Sequence, residues 1–241
     1  MPDLADTDHH LALLVEAGQR LVRSVDGLTG DDWAAPSALP DWSRAHVVAH
    51  LALNGEALEA VLTGVVEGDP VPMYESQDAR DTEIAELAGA DPAQLRERLL
   101  ASTVTFPEAV QRVPPDVWKG RFERTRDGST LPLLATPVMR LREIEIHHVD
   151  LAVGYSPDEW PDGFAEDLVD GMAKRQRGDS PGQGFLVRPL DTDRTWEVGA
   201  PGDDPVVVTG PVRHVAWWLT GRPPSQQVSS SRGELPRIGS W

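Results

Sequence analysis

Apolar residues recur at helical spacing as far as Val153, and beyond Gly154 helical segments give way in part to short β-like runs. This switch of period constrains the fold more than any other feature of the chain. Leu11, Leu13, Leu14, Ala17, Leu21 and Val22 fall near one helical face, and residues 27–31 close that segment. Pro40-Asp41 opens a second helix, expected over 42–66, with Asp41 as its N-cap. Its core stripe is Val47, Leu51, Leu58, Val61, Leu62 and Val65. Residues 73–80 read as a loop leading into a short helix. Asp91-Pro92 is a cap followed by an N1 proline, feeding Leu95, Leu99 and Leu100, and Pro107 is expected to kink or divide that helix. Residues 121–134 are polar, with an Asp127-Gly128 turn, and suit a hairpin or loop. A fourth strong helix is expected from Pro137 to about Val153.

After Gly154 one more helix is expected over 161–177, then short β-like runs at 185–187, 195–198 and 206–209. A last helix over 211–220 carries Val215, Trp217, Trp218 and Leu219, and the tail from Pro223 reads as weakly structured. The expected architecture is α+β: a four-helix unit over 1–153 and a smaller α+β domain over 154–241.

Composition narrows the function. Among 241 residues, 22 Lys and Arg face 39 Asp and Glu, a net charge of −17 that repels phosphate backbones and argues against nucleic acid as a partner. A 40% hydrophobic share with eight Trp supplies a real core. The longest apolar runs are broken by His50 or Asn54, so no membrane span is expected, and Met1-Pro2-Asp3-Leu4 lacks a signal-peptide start. A cytoplasmic, monomeric protein is expected. Cysteine is absent, which removes disulfides, thiolate nucleophiles and sulfur-ligated metals. Any transition-metal site must use His, Asp and Glu.

The fourth helix offers such residues. Glu143 and His147 are four apart and share a face, and Asp150 continues the row. Apolar residues flank it on both sides, so the polar row is costly to bury unless something satisfies it. Glu145 with His148 is a rival pair on another face. A third ligand must come from another helix. His50, at the edge of the second helix's stripe, is one candidate, and His46 one turn earlier competes with it. His9 and His10, near a terminus, read as solvated.

The segment Asp41-Trp42-Ser43-Arg44-Ala45-His46-Val47-Val48-Ala49-His50-Leu51 resembles the second-helix signature of mycothiol-dependent maleylpyruvate isomerases. Arg142-Glu143-Ile144-Glu145-Ile146-His147-His148-Val149-Asp150-Leu151 resembles their fourth-helix signature. Pro72-Met73-Tyr74-Glu75-Ser76, Ala79-Arg80 and Glu83-Ile84-Ala85 are similar to that enzyme's own loop, and Gly221-Arg222, Ser230-Ser231 and Gly233-Glu234 to its C-terminal end. The resemblance implies a DinB-like four-helix bundle followed by a domain similar to sterol carrier proteins. It implies zinc, or another divalent metal, held by His50, Glu143 and His147, and a catalytic Arg222. The cofactor implied is mycothiol, a low-molecular-weight thiol, and the substrate is a dicarboxylate, maleylpyruvate, converted to fumarylpyruvate. Alternatives on the same fold are a mycothiol S-transferase and a non-catalytic metal- or small-molecule-binding protein.

The residues suit that chemistry. Cis–trans isomerisation of a conjugated alkene needs its double bond made single for a moment, which thiolate addition achieves. A free thiol, with a pKa of about 8.5, is mostly protonated at neutral pH, and a bound divalent metal deprotonates it. An arginine suits a carboxylate or a developing enolate. Asp150 and His148 are placed to orient ligand histidines, Trp217 and Trp218 read as core, and Asn54 lies where it could touch the site.

Overall fold

The computed structural model describes residues 4–175 and 184–239. The chain divides into two compact units, Met1–Tyr155 and Ser156–Trp241.

In the first unit, α1 (Leu4–Asp26) is followed by a 3-10 turn (Gly30–Trp33) and α2 (Arg44–Glu67). Asp41 does not cap α2. It sits in the left-handed region at φ 62°, turning the chain, and Ser43 caps instead. Ser43 Oγ accepts the His46 N–H while the Ser43 N–H donates to His46 Nδ1 at 3.3 Å. The helix is buried on nearly every side, from Val47, Val48, Ala49 and Leu51 through Leu58 to Leu62, as a central helix should be. After α3 (Gln77–Ala88), α4 (Pro92–Arg112) begins as expected, with Asp91 accepting from the Ala93 N–H at 2.8 Å. It runs undivided through Pro107, because a proline forfeits one backbone bond and both Pro107 and its neighbour Phe106 are buried.

The polar stretch forms a hairpin of β1 (Arg121–Glu123) and β2 (Thr130–Pro132), and α5 (Thr136–Asp150) follows. The fourth helix ends at Asp150, short of Val153, because Ala152 takes a φ of 54°. Helix α2 packs on α4, α5 and α3, while α1 packs on α4 and α5. The contact of α2 with both α4 and α5 is close enough to require a glycine. A Cβ on Gly55 would lie 2.8 Å from both Arg140 Nη2 and Ser102 Cβ.

The second unit opens with α6 (Phe164–Arg175), shorter at its start than expected because Gly163 turns at φ 80°. The expected end of that helix, at 176–177, lies outside the described residues. Strands β3 (Phe185–Val187), β4 (Trp196–Val198), β5 (Val206–Thr209) and β6 (Ser229–Ser230) form one sheet in the order β4-β3-β5-β6. β3 pairs antiparallel with β4 and parallel with β5, Phe185 opposite Val198 and Val206. Part of the tail is therefore not irregular: β6 pairs with β5, Ser230 opposite Val208. Helix α7 (Val212–Leu219) packs on α6, and Trp218 lies 5.7 Å from Phe185, ring to ring. Among the described residues no helix is long and apolar enough to cross a membrane.

The Gly55 contact can be tested directly. Gly55→Ala is expected to lower unfolding stability by about 1–3 kcal/mol, the usual cost of overpacking. Urea titration followed by circular dichroism measures it.

Candidate metal centre

α5 places Glu143 and His147 one turn apart on one face, and α2 brings His50 opposite them. His50 Nε2 lies 2.8 Å from Glu143 Oε2, and His147 Nε2 lies 3.3 Å from the same oxygen. The imidazole rings meet edge to face with centroids 4.7 Å apart. One donor atom from each of the three residues falls within 4.8 Å of the other two. Among the described residues it is the one group of three or more His, Asp and Glu side chains so placed. Both histidines are buried, whereas the Glu143 side chain keeps 22% of its surface exposed, which leaves the cluster an outlet.

Burial pushes the His50 pKa down to about 4, with His147 and Arg80 adding to that and Glu143 opposing it. At neutral pH His50 therefore offers an uncharged ring. Burial also disfavours a charged His147, but bonds to Asp150 and Glu143 outweigh it and raise its pKa. Glu143 is held well below the usual carboxylate range, since the two histidines outweigh its desolvation. Asp150, fully buried, bonds His147 Nδ1 at 2.8 Å and leaves Nε2 facing Glu143. Two imidazoles and a carboxylate converging in this way form the nitrogen and oxygen donor set that suits zinc and its neighbours.

The rival residues are spent elsewhere. His46 Nδ1 serves the cap of α2. Glu145 turns toward α1, where it accepts from Arg20 Nη2 at 2.6 Å and from the Tyr155 hydroxyl. His148 points the same way: its ring stacks on Tyr155 at 3.7 Å, and Nε2 bonds Ser24 Oγ at 2.7 Å. His148 thus anchors α1 rather than orienting a ligand. His9 and His10 pair with each other at 5.9 Å, outside the cluster. Asn54 faces Tyr74 and Arg140. In the second unit Trp218 is buried, Trp217 is half-buried, and Arg222 bonds the Thr220 carbonyl at 3.0 Å with its guanidinium 5.6 Å from the Trp217 ring.

Three neighbours of the cluster were not legible as site residues. Trp42 lies edge-on to His50 at 5.7 Å, Arg80 Nη2 lies 3.2 Å from His50 Nδ1, and Tyr74 lies beneath Arg80. Trp42 stands at the very start of the expected second helix and in fact precedes α2, Tyr74 lies in a loop, and Arg80 is in the first turn of a short helix, where spacing says nothing about what faces what.

Fold and cluster together define a class: a helical domain presenting a two-histidine, one-carboxylate cluster, followed by a small α+β unit. The chain belongs to the mycothiol maleylpyruvate isomerase N-terminal domain family, whose family model matches residues 14–152. Its structure is similar to the crystal structure of a mycothiol-dependent maleylpyruvate isomerase, and to that of a histidine-to-alanine mutant of that enzyme. Each is 28% identical, with a TM-score of 0.88 and the whole of both chains covered. No curated protein sequence gives a significant match.

The contrast between the two faces of α5 has a measurable side. Arg20→Ala strips Glu145 of its cation and leaves a buried carboxylate, so a loss of about 3 kcal/mol is expected, the low end for breaking a buried pair, because Tyr155 remains. Denaturant unfolding measures it, and metal uptake at the other face should be unaffected.

Proposed function

We propose that this chain is a mycothiol-dependent isomerase that converts maleylpyruvate to fumarylpyruvate. The observation that carries the reading is the His50–Glu143–His147 cluster, set in a chain similar over its full length to such an enzyme. In this reading the first unit is a DinB-like four-helix bundle, supported by the mutual packing of α1, α2, α4 and α5. The second unit is a sterol-carrier-like domain, supported by its mixed sheet and two helices. The protein works as a cytoplasmic monomer.

As a donor set that suits zinc, His50, Glu143 and His147 would hold a divalent metal. When bound, it supplies a Lewis acid that keeps a coordinated thiol in its thiolate form. The chain has no cysteine of its own, so the sulfur comes from mycothiol. Asp150 fixes the His147 ring so that Nε2 remains the ligating atom. The exposed edge of Glu143 leaves room for thiol and substrate to reach the cluster. Arg222 binds a substrate carboxylate and stabilises negative charge that develops on the adjacent carbonyl oxygen, with Trp217 supporting its guanidinium.

The direct test is the purified protein with zinc, mycothiol and maleylpyruvate, following loss of the cis isomer. Fumarylpyruvate with the thiol released supports the isomerase. Product that keeps the thiol attached points to an S-transferase, and no consumption of substrate overturns the reading.

Substitutions at three positions separate metal from chemistry. Glu143→Ala should abolish stoichiometric metal, and Asp150→Asn should weaken metal affinity by about 10–100-fold, both read by elemental analysis and chelator competition. Arg222→Ala should keep its metal yet lose roughly a hundred- to thousandfold in turnover, the usual cost of removing one donor to a developing oxyanion. Arg222→Lys should recover part of it, since it restores the charge without the planar fork.

A further inference from the structure

Arg80 lies in the first turn of α3, and its guanidinium meets three groups. Nη1 donates to Asp81 Oδ1 at 2.7 Å, Nη2 lies 3.2 Å from His50 Nδ1, and the central carbon lies 5.7 Å from the Tyr74 ring centroid. The side chain is mostly sheltered, with 17% of its surface exposed, while its one carboxylate partner, Asp81, is 56% exposed. A largely sheltered cation thus spends one arm on a neutral imidazole.

Hydrogen positions decide what this contact permits. A guanidinium only donates, so its bond to His50 requires a lone pair on Nδ1 and places the ring hydrogen on Nε2. That hydrogen then donates to Glu143 Oε2 at 2.8 Å, which closes a chain from Arg80 through His50 to Glu143. Yet Nε2 is also the nitrogen that faces Glu143 and the His147 ring, and so the one His50 offers to an ion. A neutral imidazole that gives its Nε2 lone pair to a metal carries its hydrogen on Nδ1. Nδ1–H and the Arg80 N–H would then oppose each other, donor against donor. The Arg80–His50 bond and ligation by His50 exclude one another.

We propose that Arg80 is an anion-binding residue released by metal loading, whose guanidinium leaves His50 and takes one carboxylate of the dicarboxylate substrate beside the ion. This rests on the metal-dependent reading of the preceding subsection. The chemistry is that of a displaced donor: a sheltered guanidinium that loses an acceptor needs another, and a carboxylate matches its fork with two parallel bonds. Anchorage on Asp81 and the Tyr74 face keeps the group next to the cluster after it leaves the imidazole. Arg80 then couples substrate binding to metal binding, because one arm of its fork is taken by His50 until the ring gives Nε2 to an ion.

The test uses maleate, a cis dicarboxylate, as the probe. Its affinity is measured by titration calorimetry for the wild type, Arg80→Lys and Arg80→Gln, each metal-free and zinc-loaded. The wild type should bind maleate only when zinc-loaded. Zinc-loaded Arg80→Gln should lose about tenfold to a hundredfold in maleate affinity, as expected for one charge-assisted pair, and Arg80→Lys should fall between. Arg80→Gln should bind zinc at least as tightly as the wild type, since its competitor for His50 is gone. Long-range 1H–15N spectra of the histidines should show the His50 hydrogen on Nε2 in the metal-free protein and on Nδ1 after zinc. Equal maleate affinity in wild type and Arg80→Gln, or a metal-free His50 already protonated on Nδ1, overturns the proposal. Zinc- and Arg80-dependent maleate binding by a protein that does not consume maleylpyruvate with zinc and mycothiol would instead overturn the isomerase reading and leave Arg80 as assigned.

Discussion

Burying charge on α5 is the constraint from which the first unit follows. Within three turns this helix withdraws Arg140, Glu145, His147, His148 and Asp150 from water, a composition that costs several kcal/mol per ion unless every group finds a partner. Arg140 is answered by the Leu51 carbonyl at 2.7 Å, Asn54 Oδ1 at 2.9 Å and Ser102 Oγ at 3.3 Å, so a single guanidinium ties α5 to α2 and α4. Burial pulls its pKa down to about 10, outweighing the attraction of Glu143, Tyr74 and Glu56. Glu143 is answered by His50 of α2, while Glu145 and His148 are answered by Arg20 and Ser24 of α1. Rotating α5 by one residue would strand several of these groups at once. The facing of Glu143 and His147 toward His50 is held by partners that take no part in the cluster.

Much of this was written in the sequence, and what was missing follows a pattern. Spacing alone placed Glu143 and His147 on one face, Asp91-Pro92 at a helix start, and the three β-like runs after Gly184. Cap and end errors arose where backbone conformation beat residue preference: Asp41 and Ala152 both take positive φ, which neither periodicity nor propensity announces. β6 was illegible because two serines have no apolar alternation to read, and only their pairing with β5 makes them a strand. The rivalry between His50 and His46 could not be resolved by spacing, since it turns on which ring the helix cap consumes. Trp42, Tyr74 and Arg80 needed the fold, because their neighbours are distant in sequence.

The match to the family model stops at residue 152, where α5 has ended and Ala152 turns the chain. Tyr155, three residues later, still belongs to the first unit, since its hydroxyl holds Glu145 and its ring covers His148. The helical unit is thus closed by its own last aromatic residue. The second unit has its own core of Phe164, Leu168, Val187, Trp196, Val208 and Trp218. Similarity there rests on the solved structures, which cover the chain throughout.

The small sheet carries a consequence for life in a crowded solution. Its strands are two to four residues long, and its outer members are β4, with Glu197 exposed at its centre, and β6, made of two serines and followed by Ser231 and Arg232. An edge that short, hydroxylated or charged offers a foreign strand too few backbone groups to grip and no apolar stripe to zip against. The parallel pair β3 and β5, which is the sticky part by composition, lies between them with both sides already taken. The serine pair near the C-terminus thus shields the sheet against templated aggregation, a duty unconnected with catalysis.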